Sequence, residues 1–386
     1  MNILALDPGS TSTKIGVYRD GATDKTTIEH PRPVMERFAA VMDQFEFRME
    51  CIERYLSQGG FDEIHLDAVV GRGGLVRPVA GGVYLVNDAM IHDLRIGVSG
   101  EHASNLGGIL AASFADRHRA QAYIVDPPVI DEFWPVSRFS GLAGIERKSM
   151  FHALNQRAAA REVARLIGRP YQSLNLIVVH MGGGITAGAH CKGRVVDVNN
   201  GLNGDGPFSP ERSGGLPIIG VLQLIEEGYS IEQVKTIVAR KGGVYSYLYT
   251  VDMREVERRV AEGDAVAKLV LDAMIYQVAK EIGGLAAALD GSVDGIVITG
   301  GLAHSTDIVA ALRRKTGFIA PFFVRPGEYE IEALINGALR VLNGTEEPKH
   351  YLISAHLPLK DPPPLQGEGR GGDGSNSAPK NTPSPS

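Results

Sequence analysis

The sequence predicts an α/β fold of two duplicated lobes with a cleft between them, and three observations lead there. Residues 3–17 read as strand, tight polar turn, strand: an apolar run from Ile3 to Leu6, the turn Asp7-Pro8-Gly9-Ser10-Thr11-Ser12-Thr13-Lys14, then a second apolar run. The pattern returns about one domain later, where residues 176–179 stop at His180-Met181-Gly182-Gly183-Gly184 and a further apolar run follows. The third observation is length, since 386 residues are natural for two domains.

Along the first lobe, a polar stretch at 20–33 precedes Phe38, Val41, Met42 and Phe45, whose spacing predicts an amphipathic helix to about 56. Residues 64–70 read as a buried strand ending in Gly71-Arg72-Gly73-Gly74. Residues 85–94 are loop or short helix, 104–114 a small-residue helix, and 122–125 a strand closed by Asp126-Pro127-Pro128. A long helix over 149–167 opens the second lobe. After the returning hairpin, helices are expected at 218–227 and 230–240, the latter with a Ser230/Gln233 capping box. Val266, Leu269, Val270 and Ala273 begin a long helix to about 289. A strand at 295–299 closes on Gly300-Gly301, and a helix (307–315), a strand (318–324) and a last helix (331–342) follow. The expected domains are 1–150, 151–348 with its last helix free to pack back on the first lobe, and a disordered tail over 349–386. That tail is rich in Pro, Gly, Ser and Asn and has little to bury.

Charge narrows the function classes. Lys+Arg 39 against Asp+Glu 45 gives −6, which argues against nucleic acid or an anionic membrane as the main partner. Cys51 and Cys191 have no ligand-like spacing and read as reduced thiols of a cytoplasmic protein; no basic leader precedes the first strand, and no apolar run is long enough to span a bilayer.

Three glycine turns at strand ends carry the chemistry: Gly9-Ser10-Thr11, Gly182-Gly183-Gly184 and Gly300-Gly301. The first offers hydroxyls from Ser10, Thr11 and Ser12, the cation Lys14 and the carboxylate Asp7, a set suited to a phosphate chain and a metal. There is no Gly-x-x-x-x-Gly-Lys-Ser/Thr loop. Dispersed turns on duplicated lobes resemble the acetate and sugar kinase, heat-shock chaperone and actin superfamily, which implies ribonuclease H-like (actin-like ATPase) lobes with a nucleotide cleft. Within it, Asp7-Pro-Gly-Ser-Thr-Ser-Thr-Lys14, Val70-Gly-Arg-Gly-Gly74, Gly100-Glu-His-Ala-Ser-Asn-Leu-Gly107, Glu146-Arg-Lys-Ser149, Phe151-His-Ala-Leu-Asn-Gln156, His180-Met-Gly-Gly-Gly184, Gly204-Asp-Gly-Pro-Phe-Ser-Pro-Glu-Arg-Ser-Gly-Gly215 and Thr299-Gly-Gly-Leu-Ala-His304 resemble the butyrate kinases of the acetokinase family over residues 1–342.

The resemblance implies reversible phosphoryl transfer between ATP and a short-chain carboxylate, giving an acyl phosphate and ADP with Mg2+. It implies that Arg72 holds the carboxylate, that Arg212 and His180 contact the transferred group, and that Asp126 positions the reacting groups. His102 is a substrate-side candidate. Ser10, Thr11, Ser12, Lys14, His180, Gly182, Gly183, Gly184, Asp252, Arg254, Gly300 and Gly301 would serve the nucleotide. Asp7 and Glu330, or Glu328 in its place, would serve the metal. Asp7 departs from the acetate kinases, which carry Asn there. Acetate, propionate and isobutyrate kinases are the nearest alternatives, and Val83, Tyr84 and Phe133 are candidates for the acyl pocket. A sugar kinase would want an aspartate base, for which Asp126 stands ready. The other class is an ATP-driven switch without catalysis. A homodimer or higher homo-oligomer is expected from the resemblance.

Overall fold

The computed structural model describes residues 1–61 and 64–352 and holds two mixed sheets, one per lobe. The first lobe carries β1 (Asn2–Pro8), β2 (Ser12–Arg19), β3 (Ala22–Glu29), α1 (Arg32–Met35), α2 (Phe45–Gln58), β4 (Ala68–Arg72), β5 (Val83–Leu85), α3 (Asp88–Arg95), α4 (Asn105–His118) and β6 (Gln121–Val125). The second carries α5 (Ala153–Ile167), β7 (Asn175–Met181), β8 (Ile185–Cys191), β9 (Arg194–Val198), α6 (Ile218–Glu226), α7 (Ile231–Arg240), α8 (Gly243–Leu248), α9 (Met253–Ala261), α10 (Ala265–Ala288), β10 (Gly295–Gly300), α11 (Thr306–Thr316) and β11 (Phe322–Pro326). The chain then returns to the first lobe as α12 (Glu330–Leu342) and β12 (Lys349–His350).

The duplication is visible in strand order. The first sheet contains the run β3-β2-β1-β4-β6, and the second sheet runs β9-β8-β7-β10-β11. In each, two antiparallel pairs are followed by two parallel ones. The central strands are covered on both faces, so β1, β7 and β10 read as unbroken apolar runs with no polar alternation.

Alternate residues of each central strand face opposite helices. Leu4 and Leu6 meet Met49, Ile52, Leu106 and Leu110 from α2 and α4, while Ile3 and Ala5 meet Leu334, Ile335 and Ala338 of α12. In the second lobe Ile177 and Val179 face Met274 and Val278 of α10, and Leu176 and Val178 face Ala160 and Val163 of α5. Each lobe is thus closed on one face by the helix that follows the other lobe's last parallel strand. Burying each such Leu or Ile is worth about 1.5–3 kcal/mol. α12 comes so close to β6 that a Cβ on Gly337 would lie 2.4 Å from Val125 Cγ2.

Several expectations shift. The polar stretch 20–33 is mostly β3, an edge strand with no buried side chain, so it carries no apolar signal. The helix over 38–56 divides into a 3-10 turn (Val41–Gln44) and α2, and the strand over 64–70 starts at Ala68. α5 begins at Ala153, since Ser149 and Phe151 bond back to Ile130 and Pro128 and hold 149–152 out of the helix. The strand over 318–324 is Phe322–Pro326. The short α8 and α9 were not expected, although Met253, Val256 and Val260 of α9 fall at helical spacing. The tail boundary moves as well: Lys349 and His350 pair with β5, and Tyr351 is buried with its hydroxyl on Asp93 Oδ2 at 2.8 Å. The rest of the expected tail, from 353 on, lies outside the described residues.

Candidate active site

β1 and β4 run parallel, so their C-terminal ends set Asp7 beside Arg72, the usual place for a site in such sheets. Arg72 Nη1 donates to Asp7 Oδ1 at 3.1 Å. Asp7 raises the guanidinium's pKa, and Glu330 adds to this against the cost of burial. α4 starts directly against Arg72: a Cβ on Gly107 would stand 2.3 Å from the Arg72 carbonyl oxygen, so a glycine is needed there. His102 lies just before α4. Its Nδ1 accepts from the Ser104 N–H at 3.1 Å, which leaves the ring proton on Nε2 as a free donor. Burial first, then Arg72, lowers its pKa and keeps it neutral.

The second lobe brings His180 at the end of β7. Asn155 Nδ2 donates to the Gly327 carbonyl at 3.3 Å, so Asn155 Oδ1 accepts from His180 Nδ1 at 2.8 Å and Nε2 is left with a lone pair. His152 stacks on His180 with centroids 3.9 Å apart and planes at 14°. Burial pushes His180 down to about 4, with Glu328 opposing and Arg72 and Arg212 assisting. His152 is driven well below its ordinary value by burial, His180, Arg212 and Arg72. The guanidinium of Arg212 lies on Gly184, where a Cβ would stand 2.1 Å from Nη1. Nη1 donates to the Gly201 carbonyl at 2.8 Å, and Nε is buried without a partner. Burial lowers the Arg212 pKa, yet a guanidinium stays charged at neutral pH.

The turn after β1 is braced from below. Arg48, fully buried on α2, donates to the carbonyls of Gly9 (2.7 Å) and Ser12 (2.9 Å) and to Thr13 Oγ1 (2.8 Å). Ser10 and Thr11 are thereby left facing solvent on a fixed backbone. Lys14 bridges Glu328 and Glu330, each at 3.3 Å. Burial works against its charge, but Glu330, Glu328 and Asp7 prevail and raise its pKa. Burial also raises the pKa of Glu330, so this carboxylate gains from any cation beside it.

Asp7, Glu328 and Glu330 carry the oxygen donors Mg2+ prefers, and Mg2+ takes only one or two protein carboxylates when phosphates supply the rest. Asp7 and Glu330, both buried, fit that pattern.

The structure thus gathers Asp7, Lys14, Arg72, His102, His180, Arg212 and Glu330 from the two lobes. Gly182 to Gly184 form a turn closed by Gly182 N–H on the Gly184 carbonyl at 3.0 Å. Gly300, at φ 87°, packs on Met181, and Gly301 opens the next turn with free space above it.

Asp126 is a correction. It is 1% exposed, accepts from Gly82 N–H (2.8 Å) and Arg161 Nη1 (2.9 Å), and lies 2.8 Å from Arg157 Nε. It anchors α5 to the first lobe, and among the described residues no hydrogen bond or ion pair joins it to Arg72 or His180. Asp252 caps α9 through the Arg254 N–H at 3.0 Å and pairs with the exposed Arg254 side chain, so neither joins the cluster. Val83, Tyr84 and Phe133 sit in three separate cores. Sequence reasoning missed His152, Asn155 and Arg48. The string from Phe151 to Gln156 counted only toward the family resemblance, and its histidine beside a polar helix start was the available signal.

This fold, with its cleft between duplicated lobes, is the actin-like fold of the acetate kinases. Acetate kinase from Porphyromonas gingivalis superposes with TM-score 0.74 at 19% identity, covering 88% of this chain and 99% of that one. Acetate kinase from Entamoeba histolytica gives 0.71 at 17% (88% and 99%), and propionate kinase from Francisella tularensis subsp. tularensis SCHU S4 gives 0.69 at 18% (86% and 98%). Residues 139–317 match the model of the acetokinase family. No described helix is long and apolar enough to cross a membrane.

Proposed function

We propose that this chain is a carboxylate kinase that transfers the γ-phosphoryl group of ATP to a short-chain acid, with butanoate as substrate, giving butanoyl phosphate and ADP. The observation that carries the reading is the convergence of Arg72 and Arg212, one from each lobe, on two stacked neutral imidazoles. A carboxylate is already ionised at neutral pH, so it needs no general base. What it needs is relief from the phosphate's like charge, and a loose phosphoryl transition state needs cations around its equatorial oxygens. Arg72 supplies the first at the end of β4, and Arg212, with an unpartnered Nε, supplies the second. His102 offers Nε2–H as a donor beside Arg72. Mg2+ held near Asp7 and Glu330 would neutralise phosphate charge.

Asp126 favours the same reading: its carboxylate is held by two arginines, so it is poorly placed as a base for a sugar hydroxyl. The preference for butanoate over acetate, propionate or isobutyrate rests on the motif strings. The reading includes a cytoplasmic homo-oligomer, supported by α6, where Ile218 and Ile219 are 75% and 68% exposed. The test is hydroxamate trapping of acyl phosphate across formate to hexanoate and the branched acids, with sugars followed by ADP release. Butanoate or isobutyrate is expected to give the highest kcat/KM. Absence of product with every acid overturns the reading.

A further inference from the structure

A second cavity, of about 720 Å³, lies between α5 and α12, and its character differs from that of the cleft. Its apolar lining comes from Leu154, Ala158, Ala333 and Leu339. Its polar lining includes Arg161, Arg165 and Arg340, with Asp126, Glu162 and Glu332 as the anions. Asp126 is shared between Arg161 in the lining and Arg157 outside it, while Glu162 and Glu332 pair with cations outside the lining, Arg325 and Lys25. The cations are less well matched. Arg165 makes no ion pair among the described residues. Arg340 donates through Nε to Glu346 Oε2 at 2.7 Å, but its Nη2 is buried without a partner. Burial lowers the Arg161 pKa, Asp126 opposes this, and Arg157 and Arg340 push it the same way as burial.

We propose that this cavity is a regulatory site for a small organic anion, a phosphate or carboxylate head on a short apolar body, read in the cleft through α5 and α12. The head meets the guanidinium groups of Arg165, Arg161 and Arg340 that line the cavity, and the body lies on the leucines and alanines. Such a volume suits a ligand of that size. Both helices start in the cleft and extend to the cavity. α12 begins at Glu330 beside Lys14 and reaches Arg340 about 15 Å further on, at 1.5 Å per residue. α5 begins next to His152, holds His180 through Asn155, and carries Arg161 and Arg165 at its far end. A ligand wedged between them changes the angle at which the helices cross, and with it the separation of the lobes.

The test is calorimetric titration of the full chain with hexyl phosphate and, in a parallel arm, hexanoate, with inorganic phosphate as the bare head. The arms identify which head group the site takes. Arg165→Glu is at the surface and outside the cleft, and Ala158→Leu fills the apolar lining. Either is expected to weaken the preferred amphiphile by about tenfold or more, as loss of a charge-assisted contact does, while Arg72→Ala leaves it unchanged. Saturating amphiphile is expected to change ADP·Mg2+ affinity about fivefold or more in wild type, and not in Arg165→Glu. Absence of binding by either amphiphile, or binding lost in Arg72→Ala and kept in Arg165→Glu, overturns the site. Binding at the cavity with unchanged ADP affinity overturns the regulation. Failure to bind ADP at all counts against the proposed function, whereas amphiphile binding is read independently of it.

Discussion

Arg72 and Arg212 are the residues on which turnover is expected to depend most. Neither holds a core together: Arg72 pairs with Asp7, and Arg212 with the Gly201 carbonyl and, at 3.9 Å, with Glu211. Arg72→Ala and Arg212→Ala should therefore fold normally and each lose about 10²–10³ in kcat, the usual cost of a lost transition-state contact. Circular dichroism and acyl phosphate production check the two halves of that expectation. Glu281 makes a different test. On α10, burial and then Asp205 lift its pKa to about 7, from an ordinary 4.5. A carboxyl whose folded pKa is raised lends stability that is fully present below 4.5 and is lost as pH rises through 7. Glu281→Gln has no such titration, so its unfolding free energy should gain on wild type between pH 4.5 and 7, by on the order of 3 kcal/mol at most. Urea titrations of both proteins across that range decide it; a constant gap refutes the assignment. The residue scale was also where the sequence misled most. Arg72 was legible because glycines flank it. Asp126 looked equally placed at a strand end, but its fate depends on Arg157 and Arg161, which reach it from α5, the first helix of the other lobe.

The elements were legible in proportion to their burial. β1, β7 and β10 announce themselves as apolar runs because both faces are covered. β3 was hidden because an edge strand here buries nothing. No sequence pattern marked α12 as the lid of the first sheet, since periodicity tells that a helix has an apolar face and not which sheet it covers. Its fit there depends on Gly337. Gly337→Ala would set a methyl 2.4 Å from a stiff valine, so the helix must lift or Val125 must move. Overpacking of this kind costs about 1–3 kcal/mol. The expected outcome is a lower Tm by calorimetry, and an unchanged Tm would mean that α12 docks less tightly.

At the scale of the molecule, the cations of one reaction are split between two bodies, Arg72 on the first and Arg212 on the second. Closure of the lobes is the step that would bring them to one phosphate and exclude water from the acyl phosphate. Small-angle scattering should show a smaller radius of gyration with ADP, Mg2+ and butanoate than without them; identical curves would count against closure. The exchange of closing helices between the lobes also bears on how the protein is made. On the ribosome, β1 to β6 emerge first, yet the surface of Ile3 and Ala5 stays bare until Leu334, Ile335 and Ala338 are synthesised. The first half therefore cannot mature ahead of the second, as domains made in sequence ordinarily do. A nascent chain halted before residue 330 should remain prone to proteases and dependent on chaperones.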